Sequence, residues 1–375
     1  MCRAAPAADT QDGPAHAVVN ALTALRVDPH SVFPVRNVDI RRDAIHLTLV
    51  EGQLAFLEPY QGKITGAVFT GRGHILALPR DITEKASLGR FLGAPILDQN
   101  FARAYFRFDD NSAAELLSDL QKAGDKPIED STMAEDWNPV LVTVNPWHSL
   151  RLLEDLLSEK PKPYFYAGLV GYVSGAFDAM VDDRRDEQVL IAQPKTVADH
   201  ELIDAWASFT RAGAPEDPKP LFQATDYSIE SVIQPDLDLA GTATFSLQAN
   251  AEGERIVPLE LSQLLRLSAV SDESGRALEF FQSEPSKRKD IAEQGDDAIF
   301  VVLAAPTRAG ETIHLKMTYQ GRVISDAGNG VFFVGQRGSW YPHPGGTSDF
   351  SNFHLKFRWP KQWTLVATGR KMSAR

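Results

Sequence analysis

The sequence predicts a mainly β protein: an N-terminal β-rich α+β domain followed by an antiparallel β-sandwich. Three observations carry that prediction. Period-two alternation of apolar and polar residues starts at Val35 and returns through most of the chain. Gly, Pro, Asn and Asp clusters cut the alternating runs into short segments. Helical periodicity is confined to a few segments before residue 160.

Residues 1–34 read as a leader, partly disordered, with one short helix over Ala15–Leu25. From Val35 to about residue 78, five short strands are expected, with turns at Glu51-Gly52, Gln61-Gly62 and Gly71-Arg72-Gly73. In the strand IHLTLV, Ile45, Leu47 and Leu49 share a face. SAAELLSDLQKAG opens on Ser112 as a cap and stops at Gly124. A second helix, from Trp147 to Lys160, carries Leu150, Leu153 and Leu157 as its apolar stripe. Strands resume at KPYFYAGLVGY and EQVLIAQP, giving a domain over 35–222. Residues 213–227 are Pro- and acid-rich without periodicity and read as the linker. Residues 223–375 follow as about eight short strands at a spacing near ten residues, the pattern of a sandwich.

Composition narrows the function. The 375 residues carry 38 basic and 50 acidic side chains, and a formal charge of -12 repels a phosphate backbone. No basic stripe with interleaved aromatics offsets it, so nucleic acid is not an expected partner. The single cysteine, Cys2, allows no disulfide within the chain and no cysteine-based zinc site. No apolar run is long enough for a membrane-spanning helix. The small residues of MCRAAPAADTQDGPAHA resemble the stretch behind a signal-peptide cleavage site, although no apolar core precedes them. Export to the periplasm or exterior is therefore read slightly ahead of the cytoplasm.

The chemistry-bearing residues form no catalytic constellation. None of the nine histidines is paired one helical turn from another in an HExxH pattern. His343, Asp349 and His354 lie close in sequence, but would meet only if a loop and a strand converged, and no metal site is expected there. Val173-Ser174-Gly175 lacks the strand–turn–helix context of a serine nucleophile. The GRG at 71–73 and GYVSG at 171–175 are read as turns or bulges. The pairs Asp109-Asp110, Asp182-Asp183 and Asp296-Asp297 read as strand-end turns.

Residues 228–375 nevertheless resemble the N-terminal β-domain of the aminopeptidase N-like zinc metallopeptidases, the gluzincin family that includes the leukotriene A hydrolases. Four segments carry the resemblance, in order: LLRLSAVSDESGRALEF, APTRAGETIHLKMTYQGRV, GVFFVGQRGSWYPH and FHLKFRWPKQWTLVATGR. In that family the β-domain leads into a catalytic domain with a Gly-Ala-Met-Glu-Asn strand and a zinc-binding HExxH helix. Neither pattern occurs in this chain. The resemblance implies that zinc belongs to that other domain, that no activity is expected from this chain alone, and that a peptidase domain, in cis or in trans, is the partner. It further implies that Trp340 and Tyr341 anchor a loop facing that domain, with Pro342 fixing the turn. Gln336 is the nearest match to the side chain that grips a substrate's free amine. Residues 35–222 resemble an extra β-rich region found ahead of the peptidase-like part in some bacterial members.

Two other functions stay open at this stage. One is an extracellular module binding peptide or glycan through Trp137, Trp147, Trp340, Trp359 and Trp363. The other is an unrecognised catalytic site around His148, Asp182, Asp183 and Arg184.

Overall fold

The computed structural model describes residues 13–197, 200–214, 219–282, 296–334, 339–345 and 351–373. They divide into two units, Pro14–Pro218 and the part from Lys219 onward.

The first unit opens with helix α1 (Pro14–Ala24), which buries Ala15 and Leu22. Strand β1 (Val27–Arg42) then pairs antiparallel with β2 (Ile45–Leu57). The first strand therefore starts eight residues earlier than the alternation predicts. Pro29 and Pro34 mask its beginning in the sequence, and they are tolerated because β1 lies at the sheet edge. The chain continues through β3 (Gly66–Ala77), α2 (Ile82–Leu92), β4 (Leu97–Phe108), α3 (Ser112–Ala123), α4 (Met133–Val144) and α5 (Pro146–Leu157). It closes with β5 (Tyr164–Gly171), β6 (Gly175–Asp182), β7 (Val189–Val197) and β8 (His200–Phe209). All eight strands form one sheet in sequence order.

Two predicted turns are bulges inside long strands. The register slips between Leu49 and Glu51 and between Thr70 and Gly73, and the chain does not reverse at either place. Gly52 and Gly71 face each other across the ladder. A Cβ on Gly71 would lie 2.2 Å from the Glu51 carbonyl oxygen, so these glycines permit a close approach and do not mark a reversal. Gln61-Gly62 is a true turn, closed by hydrogen bonds between Tyr60 and Lys63.

Both faces of the sheet are covered. One packs Phe69, Phe101, Phe106 and Phe177 against Leu88 of α2 and Leu116 and Leu120 of α3. The other packs Leu57, Val68 and Tyr105 against Leu22 of α1, Met133, Trp137 and Leu141 of α4, and Leu152 of α5. Helices α2 and α4 were not expected. Asp81 caps α2 by accepting from the Thr83 N–H, and Pro139 inside α4 hides its periodicity. The capping of α3 also differs: the Asp110 carboxylate accepts from the Ser112 N–H at 2.8 Å, so Ser112 is not the cap. Its end at Gly124 has the left-handed backbone of a helix stop.

The second unit begins with β9 (Phe222–Ile233), inside the stretch read as linker, followed by β10 (Leu239–Ala249), β11 (Ile256–Ser262) and β12 (Leu265–Asp272). Then come β13 (Phe280–Gln282), β14 (Asp296–Val302), β15 (Thr312–Gly321), β16 (Ile324–Asp326), β17 (Phe332–Val334) and β18 (Asn352–Arg358). One sheet has the order β12-β15-β10-β9-β18, a second β11-β14-β13, and β16 and β17 form a hairpin. The two larger sheets share one core that includes Phe245, Leu247, Leu259, Ile299 and Met317. The alternation of β10, buried at every second residue, shows why the sequence pattern identified a sandwich. One pairing departs from it: β18 runs parallel to β9.

Candidate functional site: the aromatic edge of the sandwich

Strand β18 closes one side of the five-stranded sheet, and its side chains alternate between faces. Phe353, Leu355 and Phe357 fall on one face; Asn352, His354, Lys356 and Arg358 fall on the other. Phe353 lies flat on Tyr227 of β9, with centroids 5.0 Å apart and planes within 4°. Tyr227 in turn stacks on Phe245 of β10 at 5.2 Å. The ring stack thus runs from the buried core outward to the open edge.

The loop read from the sequence as an aromatic corner lies over this stack. Tyr341 meets Tyr227 and Phe353 edge-on at 5.3 and 5.5 Å. Trp340 meets Tyr341 at 5.2 Å and Phe357 at 5.7 Å. Both are half-buried against the sandwich core, and Pro342 is buried. Backbone bonds from β11 hold the loop. Glu260 and His343 exchange N–H···O bonds of 2.7 and 3.1 Å, and the Ser262 N–H donates to the Ser339 carbonyl at 2.9 Å. His343 adds a clamp of its own. Its Nδ1 lies 2.8 Å from the Pro344 carbonyl, which can only accept, and its Nε2 lies 2.6 Å from the Ser339 hydroxyl. With the proton on Nδ1, the ring donates at one nitrogen and accepts from the hydroxyl at the other.

The structure thus brings Trp340, Tyr341 and Pro342 together. Gln336 and Asp349 lie outside the described residues. His354 sits on the far face of β18, opposite Ser228, and not with His343. Among the described residues, no group of three or more His, Cys, Asp or Glu side chains is placed to hold a metal ion. Sequence reasoning missed Tyr227, Phe353 and Phe357. The alternation of FHLKFR was visible, but not the strand it would lie beside.

The edge is incompletely covered. Phe353 is 42% exposed and Leu355 37%. Of the tryptophans considered for ligand stacking, Trp137 is buried and donates its indole N–H to the Thr70 hydroxyl, which removes it from any surface role. The Trp359 indole donates to the Trp363 carbonyl, and Trp363 packs on Phe332 at 4.8 Å. The side chain of Trp147 lies outside the description.

A second polar constellation sits in the first unit, around helix α5. Of the expected leucine stripe only Leu153 is buried, with Leu150 and Leu157 half-buried; the helix's buried side also includes Leu152, His148, Ser149, Glu154 and Asp155. Arg151 forks onto Asp182 at 2.9 and 3.0 Å and also pairs with Asp155. Arg184 reaches Asp155 at 2.8 Å, and the Lys162 N–H donates to the same carboxylate at 3.1 Å. Burial, then the neighbouring Asp155, holds Asp109 well above the usual carboxylate range, so it carries the proton between the two. Burial pushes Glu154 up to about 7 and His148 down to about 3. His148 meets the Tyr164 hydroxyl at 2.7 Å and packs on Tyr166 at 4.1 Å. Asp109 and Asp182 lie at strand ends as expected, and Asp182 opens a turn by accepting the Arg184 N–H at 3.0 Å, but both also belong to a buried ion network. Asp182 and Arg184 meet within it, His148 joins through Tyr164, and Asp183 pairs with Arg211 at 2.9 Å. With Asp155 fully enclosed, the network has the character of a structural tie between α5 and the turn after β6.

No family model matches the sequence, and no curated protein matches it. Solved structures do show partial similarity. An M1 zinc metallopeptidase from Deinococcus radiodurans matches at 18% identity, over 38% of this chain and 33% of that one, with a TM-score of 0.30. A mutant of a metallopeptidase from the same organism, bound to a Tyr-Ser-Ala substrate, matches at 19% identity over 40% of this chain and 37% of that one, with a TM-score of 0.29. A two-domain M1 metallopeptidase mutant bound to L-arginine matches at 19% identity over 40% and 35%, with a TM-score of 0.31. The chain therefore spans only 33% to 37% of the length of these three structures.

Proposed function

We propose that this chain is a non-catalytic module whose sandwich docks a separate, peptidase-like catalytic domain at the aromatic edge of β18. The observation that carries the reading is the ring stack from Phe245 through Tyr227 to Phe353, roofed by Trp340 and Tyr341 and left half-open at the sheet edge. Rigid aromatic side chains anchored in a core and open on one side are the usual anchors of a protein interface. The peptidase character of the partner rests on the order of the four family-like segments in 228–375. Zinc and the catalytic residues belong to that partner, in cis or in trans, and this chain shapes its access.

The test begins with the purified chain, which is expected to hold no stoichiometric zinc and to release no anilide from an aminoacyl-anilide. Zinc at one equivalent together with turnover overturns the reading. The second step is co-expression with an HExxH-bearing catalytic domain of an aminopeptidase N-like peptidase. A complex is expected, and Phe353→Ser with Leu355→Ser should abolish it at little cost in stability. A double variant that assembles as the wild type does removes the aromatic edge from the interface.

A further inference from the structure

The charge along the end of the chain is one-sided. Residues 351–375 contain six basic side chains and no acidic one, while the rest of the sequence carries 32 basic and 50 acidic. The basic segment includes β18 itself. Among the described residues, that strand hydrogen-bonds on one side only, to β9. Its far edge presents backbone donors and acceptors over seven residues without a proline or a bulge.

The paired side of β18 shows what suits it. Asn352 lies opposite Asp226 and Lys356 opposite Glu230. The contacts are close: 3.0 Å from the Asn352 amide to the Asp226 carboxylate and 3.1 Å from the Lys356 ammonium to Glu230. On this face, β9 is thus an acidic strand matched in register to a polar and basic one. The opposite face continues the ring stack through Phe353, with Leu355 and Phe357 beyond it. A strand laid on the free edge would place alternate side chains on these same two faces. Arg358 remains on the polar face opposite Val232, and Lys361 follows it in the exposed tail.

We propose that β18 accepts an extended, acidic segment of a partner protein as a sixth strand of the sheet. Carboxylates on the incoming strand would meet Arg358 and Lys361, and its apolar residues would cover Phe353 and Leu355. Backbone hydrogen bonds would supply affinity, and the two faces would supply register. A second copy of this chain fits less well, because antiparallel self-pairing of β18 would set Lys356 against His354 and Arg358 against Asn352, with no carboxylate for either cation. The inference rests on the docking reading for the choice of surface, but not on the partner being a peptidase.

The experiment uses the full chain and short fluorescent peptides: one alternating Glu with Val, one alternating Lys with Val, and a Glu–Val peptide N-methylated along its backbone. Fluorescence anisotropy gives affinity, and amide exchange locates the bound strand. The acidic peptide is expected to bind at least about tenfold tighter than the basic one. The N-methylated peptide should lose binding, and amides of 352–358 should gain protection. Arg358→Gln with Lys361→Gln should narrow the charge preference, and Arg358→Glu with Lys361→Glu should reverse it. Equal affinity for both charges, binding without new protection in β18, or no binding at about millimolar peptide overturns the proposal. Those outcomes leave the peptidase reading standing. Zinc-dependent turnover by the chain alone sinks that reading and leaves this one intact.

Discussion

Asp155 shows how much can depend on one carboxylate. It sits between Arg151 and Arg184, accepts the Lys162 N–H, and its side chain is fully enclosed. Removing one partner from such a network leaves cations buried without compensation. Asp155→Ala is expected to cost about 3–5 kcal/mol in urea unfolding, well above a surface substitution. His148 makes a prediction about pH. Burial, reinforced by Arg107, keeps it neutral in the fold down to about pH 3, whereas the unfolded chain takes up its proton near the ordinary histidine value of 6.5. Its contribution to stability is therefore complete above about 6.5 and is lost as pH falls toward 3. Between those limits the wild type should lose more stability than His148→Gln, as read from denaturant midpoints across the range. Parallel curves for the two proteins would show that the ring is solvated in the fold.

Among the elements, legibility followed the physics of each segment. The strands of the sandwich were visible because β9 and β10 bury alternate residues, and a period of two is a strong signal. Helix α3 was visible from its leucines and Gly124. The strands around Gly52 and Gly71 were cut too short, because glycine in a strand has two uses and the letters alone do not distinguish a reversal from a close approach. The aromatic corner was legible in its composition, since Trp340 and Tyr341 among glycines and prolines have few uses. The strands beneath it were not, because the parallel contact of β18 with β9 is made across about 126 residues of sequence. The α5 network was hidden for a related reason: Asp109, Asp155 and Asp182 come from three separated segments, and each reads locally as a turn or helix-surface acid. The bulge gives a test at this scale. Gly71→Ala would bring a methyl group to 2.2 Å from the Glu51 carbonyl oxygen. A loss of about 2 kcal/mol or more is expected, measured by chemical denaturation. A cost near zero would mean that the ladder there is slack.

At the scale of the whole molecule, each unit has a core of its own, one set around the eight-stranded sheet and one between the sheets of the sandwich. Expressed separately, 14–218 and 219–373 should each unfold in a single cooperative transition by calorimetry. A piece that remains non-cooperative would mean that its core is completed by residues of the other.

Topology also sets an order of events during synthesis. In the first unit every strand pairs with its immediate predecessor in the chain, so the sheet can grow one strand at a time as it leaves the ribosome. The second unit has no such option at its edge. β9 stays without its outer neighbour until β18 emerges, and Asn352 must find Asp226 across 126 residues. The ring stack is therefore completed only after β18 emerges, and until then Tyr227 lacks the cover of Phe353.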